Sequence, residues 1–304
     1  MRKFFVSISI IVIGILLIDQ IIGKIMWWVN QHTQEHACTK IRHMVNDVDT
    51  PILLMGTSRC HQHYVSSIIR DSVGMRVYNG GINSSDNIFA HYILLNLILQ
   101  RYHPQIICLE VSINDFHKQE ASFNSVGYFA PYFGHCEQSD SVFRLANLYW
   151  QYKIFRMFRY NAKATSSIAG LFAAPAYIPE DGYVPQPRPD YSINYKPLAM
   201  EFSSEIDSIK IEFLQKFISI CKKNQIKLIF TISPSYSVVN EGDYSVLEDI
   251  TKNENITLLN YHSQKLFLDR PYLFHDKEHL WDEGAKLYTS IFASDLKQLL
   301  LADY

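Results

Sequence analysis

Four short stretches, far apart along the chain, hold side chains that together can run acyl chemistry. Gly56-Thr57-Ser58-Arg59 follows an apolar run directly, so Ser58 stands just past its carboxyl end. Ligands of α/β proteins bind at that edge of the sheet, which makes the Ser58 hydroxyl a candidate nucleophile and its backbone N–H a candidate oxyanion donor. A serine there is also a natural N-cap for a following helix. Asn79-Gly80-Gly81-Ile82-Asn83 closes a second run, where paired glycines permit positive φ and close backbone approach to a ligand, or form a plain tight turn. Glu110-Val111-Ser112-Ile113-Asn114-Asp115 closes a third. Asn114 can point an uncharged N–H at an oxyanion, or make an Asx turn with Asp115. Near the C-terminus, Asp276 and His279 are separated by two residues. On a tight turn, that spacing lets the carboxylate accept the imidazole Nδ1–H while Nε2 faces outward as a base. Hydroxyl, imidazole, carboxylate and a set of N–H donors are the parts of nucleophilic acyl transfer.

Two neighbours of Ser58 are candidate substrate contacts. Arg59 can bind an anionic group or form a strand-end ion pair, and His61 can face a ligand. His61-Gln62-His63 has a spacing found in metal sites, and His275 adjoins Asp276. Yet there is no CxxC pair and no short Cys/His array of zinc spacing, so neither a metal nor a cofactor is expected. The five cysteines are Cys38, Cys60, Cys108, Cys136 and Cys221, an odd count that leaves at least one thiol free.

The elements that must position these residues are legible as apolar runs. Pro51–Met55, Arg76–Tyr78, Gln105–Val111, Ile226–Ile232 and Ile256–Leu259 are continuous rather than alternating. Such runs belong to strands buried on both faces, the mark of a parallel sheet. Helical spacing appears over Tyr64–Asp71, Asn87–Tyr102, Phe202–Lys223 and Ala285–Leu301; in the third, Ile206, Ile209, Phe213, Phe217 and Ile220 recur every three or four residues. Alternating strands and helices predict an α/β fold, a doubly wound (flavodoxin-like), mostly parallel five-stranded sheet flanked by helices. Between the third and fourth strands, residues 118–200 are aromatic, Pro-rich and irregular. A segment of that size is either an inserted cap facing substrate or a structural excursion packed on the sheet.

The N-terminus has its own pattern. Met1-Arg2-Lys3 precedes the uncharged run Phe4–Ile18, which Asp19 and Gln20 interrupt before apolar residues resume. At 1.5 Å per residue the run spans about 22 Å, short of a hydrocarbon core of about 30 Å unless the span continues past Asp19. Trp27 and Trp28 would then lie at the far interface, and Arg2 and Lys3 favour a cytoplasmic N-terminus with an exported remainder. No small-residue cleavage site follows, so residues 1–28 are expected as an uncleaved membrane anchor, with a cleaved signal and a buried helix as alternatives. Residues 29–50 are expected as a polar, partly helical stalk and 51–304 as the domain.

Composition bounds the rest. Hydrophobic residues make up 48% of 304, with 18 Phe and 19 Tyr, ample for a large core and unlike a disordered chain. A net charge of -2 with dispersed Lys and Arg gives no electrostatic footprint for nucleic acid.

Taken in chain order, the four stretches resemble the blocks of the SGNH (GDSL-like) hydrolase superfamily: a G-D-S-like serine, a glycine, a G-x-N-D asparagine and a D-x-x-H pair. The resemblance spans most of residues 51–300, with motif identity confined to the four blocks. It implies Ser58 as nucleophile, His279 as general base and Asp276 as its orienter. It further implies Gly81 (or Gly80) and Asn114 as oxyanion donors beside the Ser58 amide. Thr57 stands where the blocks have Asp, and Ser112 where they usually have Gly, which bears on the loop that aims Asn114. With its GTSR serine and membrane segment, the chain is similar to the D-alanyl transfer protein of teichoic-acid modification and to proteins of exopolysaccharide O-acetylation. That likeness implies an extracytoplasmic esterase or O-acyltransferase on acyl, chiefly acetyl, esters of a cell-envelope glycan, beside a membrane-bound O-acyltransferase. The alternative is an inactive SGNH-fold glycan-binding or scaffold component.

Overall fold

The computed structural model describes residues 1–83, 88–119, 123–176, 178–190, 196–199, 205–239 and 244–302, apart from the side chains of Asn114 and Leu198. The fold is α/β. Its centre is a five-stranded sheet of β1 (Ile52–Met55), β2 (Val77–Asn79), β3 (Ile106–Glu110), β4 (Lys227–Ile232) and β5 (Thr257–Asn260), in the order β2-β1-β3-β4-β5 with every pairing parallel.

The continuous apolar runs are explained by the two cores they serve. Leu53, Met55, Ile107, Leu109, Phe230 and Ile232 point into one cluster, and Ile52, Leu54, Ile106, Cys108 and Ile229 into the other. Because successive strand residues alternate faces, a strand covered on both sides must be apolar throughout. Helices α2 (His36–Asn46), α5 (Ile88–Ile98) and α6 (Ser208–Lys223) supply the first cluster; α3 (Ser58–His63), α4 (Ser66–Val73) and α8 (Asp282–Leu301) supply the second. A helix the apolar pattern did not mark, α7 (Ser245–Glu254), lies between β4 and β5. The α6 helix starts at Ser208 rather than 202, because the Asp207 side chain caps it by accepting from the Ile209 and Lys210 amides.

Residues 29–50 are not a detached stalk. Ala37, Ile41 and Met44, at i, i+4 and i+7 of α2, are buried in the first core. Ahead of α2 runs α1 (Arg2–His32), a single 31-residue helix and, among the described residues, the one helix long and apolar enough to cross a membrane. Its first part stands free, whereas Gly23, Met26, Val29 and Asn30 are buried. Trp27 packs on Tyr132 and His135, with ring centroids 5.6 and 5.0 Å apart, whereas Trp28 is exposed.

The segment between β3 and α6 divides into two parts. Short helices over residues 124–170 pack on α1 and α5. Residues 178–190 instead run past the carboxyl edge of the sheet, where Tyr183 Oη donates to Asp282 and the Asp282 amide donates to Gln186 O.

Candidate active site

Parallel register brings the strand ends to one edge: Leu54 pairs with Asn79, Met55 with Leu109, Glu110 with Thr231 and Ile232 with Asn260. From that edge β1 turns through Gly56 and Thr57 into α3, whose first residue is Ser58. Gly56 passes so tightly that a Cβ there would lie 2.6 Å from Cys60 Cβ and 2.7 Å from Glu110 Cβ, which only glycine avoids.

The imidazole arrives from the other end of the chain. A reverse turn, closed by the Phe274–Leu280 bridge and by His275 N–H donating to His279 O at 2.7 Å, carries Asp276 and His279. Ser58 Oγ lies 2.8 Å from His279 Nε2, and His279 Nδ1 lies 3.0 and 2.9 Å from the two Asp276 oxygens. With the proton on Nδ1 donated to Asp276, Nε2 is left to accept the Ser58 proton. The Asp276 carboxylate also accepts the Glu278 and His279 amides. Burial pushes this carboxyl up, but those hydrogen bonds and the His279 ring outweigh it and hold it at about 2. Ser58 and His279 are both half-buried, so the pair remains open to solvent. The arrangement can activate a hydroxyl.

The oxyanion donors are arranged differently from expectation. Ser58 N–H is the first amide of a helix and has no intrahelical acceptor. Gly81 N–H, however, donates to Asn79 Oδ1 at 3.0 Å, and Gly80 N–H to Leu54 O at 2.9 Å, so neither glycine amide is free. Nor does either glycine adopt positive φ. Close approach is what fixes Gly81: a Cβ would lie 2.2 Å from His61 N, so the turn packs on the α3 backbone rather than on a ligand. The Asn114 backbone sits in the turn Ile113–Asp115, and its side chain lies outside the described residues. In that turn Asp115 reaches back to accept the Ser112 amide at 2.7 Å.

Arg59 and His61, the candidate substrate contacts, both point inward. Arg59 is buried, with Nη2 3.1 Å from Glu110 Oε1 and donating to Val111 O at 3.0 Å. It is the strand-end ion pair. His61 is buried between Lys40 Nζ, 2.7 Å from its Nδ1, and Gly81 O at 3.1 Å. Burial, then the Lys40 charge, hold His61 down at about 2, and burial lowers Lys40 to about 7. His275 Nδ1 donates to Pro187 O at 3.0 Å.

Residues whose supporting role the sequence did not reveal surround the pair. Asn79 Nδ2 donates to Cys60 O and Tyr64 O at 2.7 and 2.8 Å while its Oδ1 takes the Gly81 amide, clamping α3 to the β2 turn. His63 Nε2 accepts the Leu280 amide at 2.9 Å, next to His279, and its Nδ1 lies 2.9 Å from Ser233 Oγ. Ser233 Oγ in turn donates to Glu110 Oε1 at 2.9 Å. Because Nε2 accepts, His63 is the Nδ1–H tautomer, and burial, first among its causes, keeps it neutral. A polar residue ending an otherwise apolar strand, Asn79 or Glu110, was the signal that pointed here. All five cysteines are buried and free.

In comparisons with known proteins, the chain matches no protein-family model and no curated protein sequence.

Proposed function

We propose that the chain is a serine esterase or O-acyltransferase of the SGNH type, working on acyl esters of a cell-envelope glycan from a membrane-held position. The observation that carries this is the Ser58–His279–Asp276 chain of contacts, made between residues 221 positions apart. The strand order 2-1-3-4-5 is that of doubly wound, flavodoxin-like sheets, whose ligands sit at the carboxyl edge where Ser58 lies. The docked lower part of α1 favours a retained anchor over a cleaved signal, since cleavage would strip buried Met26 and Val29 from their packing.

In this reading His279 Nε2 takes the Ser58 proton as Oγ attacks the ester carbonyl. The tetrahedral anion forms beside the Ser58 amide, and on its collapse the departing alkoxide takes the proton from His279. Water or a glycan hydroxyl then gives its proton to His279 and attacks the acyl-Ser58, freeing the serine. Residues 178–190 border the site and supply one wall for the substrate. A membrane-bound O-acyltransferase is the partner that would deliver acyl groups to such a serine.

One observation favours a second reading, an inactive glycan-binding or scaffold component on the same frame. Both glycine amides are already engaged, so oxyanion stabilisation rests on fewer donors. Turnover of p-nitrophenyl acetate, with and without an added glycan acceptor, separates the readings. An active site gives Ser58-dependent release of p-nitrophenol, and acceptor-dependent acceleration with acylated glycan marks transfer. Release equal to that of Ser58→Ala in folded protein favours the scaffold.

A further inference from the structure

The free apolar run of α1, Phe4–Ile18, is too short for a bilayer core by about five residues at 1.5 Å each. The hydrocarbon must therefore reach past Asp19, to about Gly23 or Ile25. An unpaired carboxylate at that depth is costly, and Asp19 is not unpaired. Its oxygens accept the Arg156 amide at 2.6 Å and the Met157 amide at 3.2 Å, while Gln20 Nε2 donates to Ile154 O at 3.3 Å. The crossing is close: a Cβ on Gly23 would lie 2.5 Å from Arg156 Cγ. The segment around residues 150–158 is thereby pinned to α1 at the level where the membrane has to end.

That segment is apolar on its outside. Trp150 is 63% exposed, and Ile154, Phe155, Met157 and Phe158 are exposed with it. On α1 itself the outward stripe continues through Ile21, Ile25 and Trp28, at i, i+4 and i+7. Cations rim the patch: Lys153 lies over the Tyr149 and Trp150 rings at 5.5 and 5.2 Å, Arg144 over Tyr149 at 3.4 Å, and Lys24 is exposed on the helix. Apolar side chains interleaved with aromatic rings and cations, continuous with a membrane span, match an interfacial surface facing anionic lipid.

The geometry points to residues 150–158 as a second membrane contact, a lipid-embedded shoulder beside α1 that seats the domain on the bilayer surface. This rests on the reading of α1 as a membrane span. The shoulder turns a single-helix tether into a two-point attachment, which restricts how the domain can tilt and rotate above its glycan substrate.

All native cysteines are buried, so an environment-sensitive fluorophore can be placed on an introduced exposed thiol. The full chain carrying Phe155→Cys or Phe158→Cys is labelled in lipid nanodiscs containing phosphatidylglycerol and no other protein. Val12→Cys reports the span and Glu212→Cys the aqueous face. Quenching is read from spin labels placed shallow or deep on the lipid chains, and from a water-soluble quencher. The shoulder requires shallow-lipid quenching and aqueous protection at 155 and 158, at least threefold over position 212. Deep quenching at position 12 with positions 155 and 158 as accessible as 212 overturns the shoulder and leaves the span standing. Loss of deep quenching at position 12 overturns the span reading itself. Protection at 155 and 158 that appears only in native membranes, not in the nanodiscs, also overturns the shoulder and assigns the patch to a protein.

Discussion

At the scale of single residues, the candidate site sets one hydroxyl, Ser58, against one imidazole, His279, whose ring is held by Asp276. The carboxylate makes four contacts in its turn, two to the ring and two to amides. Replacing Asp276 by Asn keeps the shape but lets the side chain donate to Nδ1, which favours the tautomer with the proton on Nε2, where it cannot accept from Ser58. A loss of about 10²–10⁴ in kcat with little change in KM is expected for Asp276→Asn, read by steady-state kinetics. That Ser58, His279 and Asp276 come together was legible in the sequence because their types and spacing are chemically restrictive. The inward turn of His61 was not, and for Arg59 an anionic ligand and an ion pair both stayed open, because which way a side chain points depends on burial. Arg59 meets Glu110, and His61 meets Lys40, a residue 21 positions away in a helix expected to be a stalk. Asn114, singled out as an oxyanion amide, has its backbone in the Ile113–Asp115 turn, and its side chain lies outside the described residues.

At the scale of elements, α3 and the Asp276–His279 turn are held to one another by buried polar contacts rather than by a shared strand. His63 at the end of α3 accepts the Leu280 amide, so the helix bearing Ser58 also fixes the turn bearing His279. Substituting His63→Leu leaves the Leu280 amide and Ser233 without that partner in a buried setting. A loss of about 1–3 kcal/mol of stability is expected, seen as a lower unfolding midpoint, together with a fall in kcat as the His279 turn loosens. Strands were legible because two-sided burial leaves continuous apolar runs. The burial of α2 in the core was not, because its stripe of Ala37, Ile41 and Met44 is diluted by charged and polar neighbours. The Asn79 clamp on α3 was hidden for a different reason: nothing in N-G-G says whether its side chain bonds backbone or solvent.

At the scale of the whole molecule, α2 ties the long apolar helix α1 to the underside of the candidate site. Its Lys40 is fully buried, bonded to His61 and to Gly182 O, and burial lowers it to about 7 from 10.5. The unfolded chain then binds more protons than the folded one between those values, so this group makes stability rise as pH climbs above about 7. Thermal midpoints of the detergent-solubilised chain are expected to increase from pH 7 to 8.5, and Lys40→Met is expected to flatten that increase. The arrangement joins an apolar helix long enough to cross a membrane, a core-packed helix and an edge-of-sheet serine in one chain, as the proposed function requires. Whether that serine reacts is tested most directly by treating the folded full chain with a fluorophosphonate and locating the adduct by peptide mass. The account requires one adduct on Ser58, absent from Ser58→Ala and much slower to form in His279→Ala. Folded protein that leaves Ser58 unmodified would contradict it.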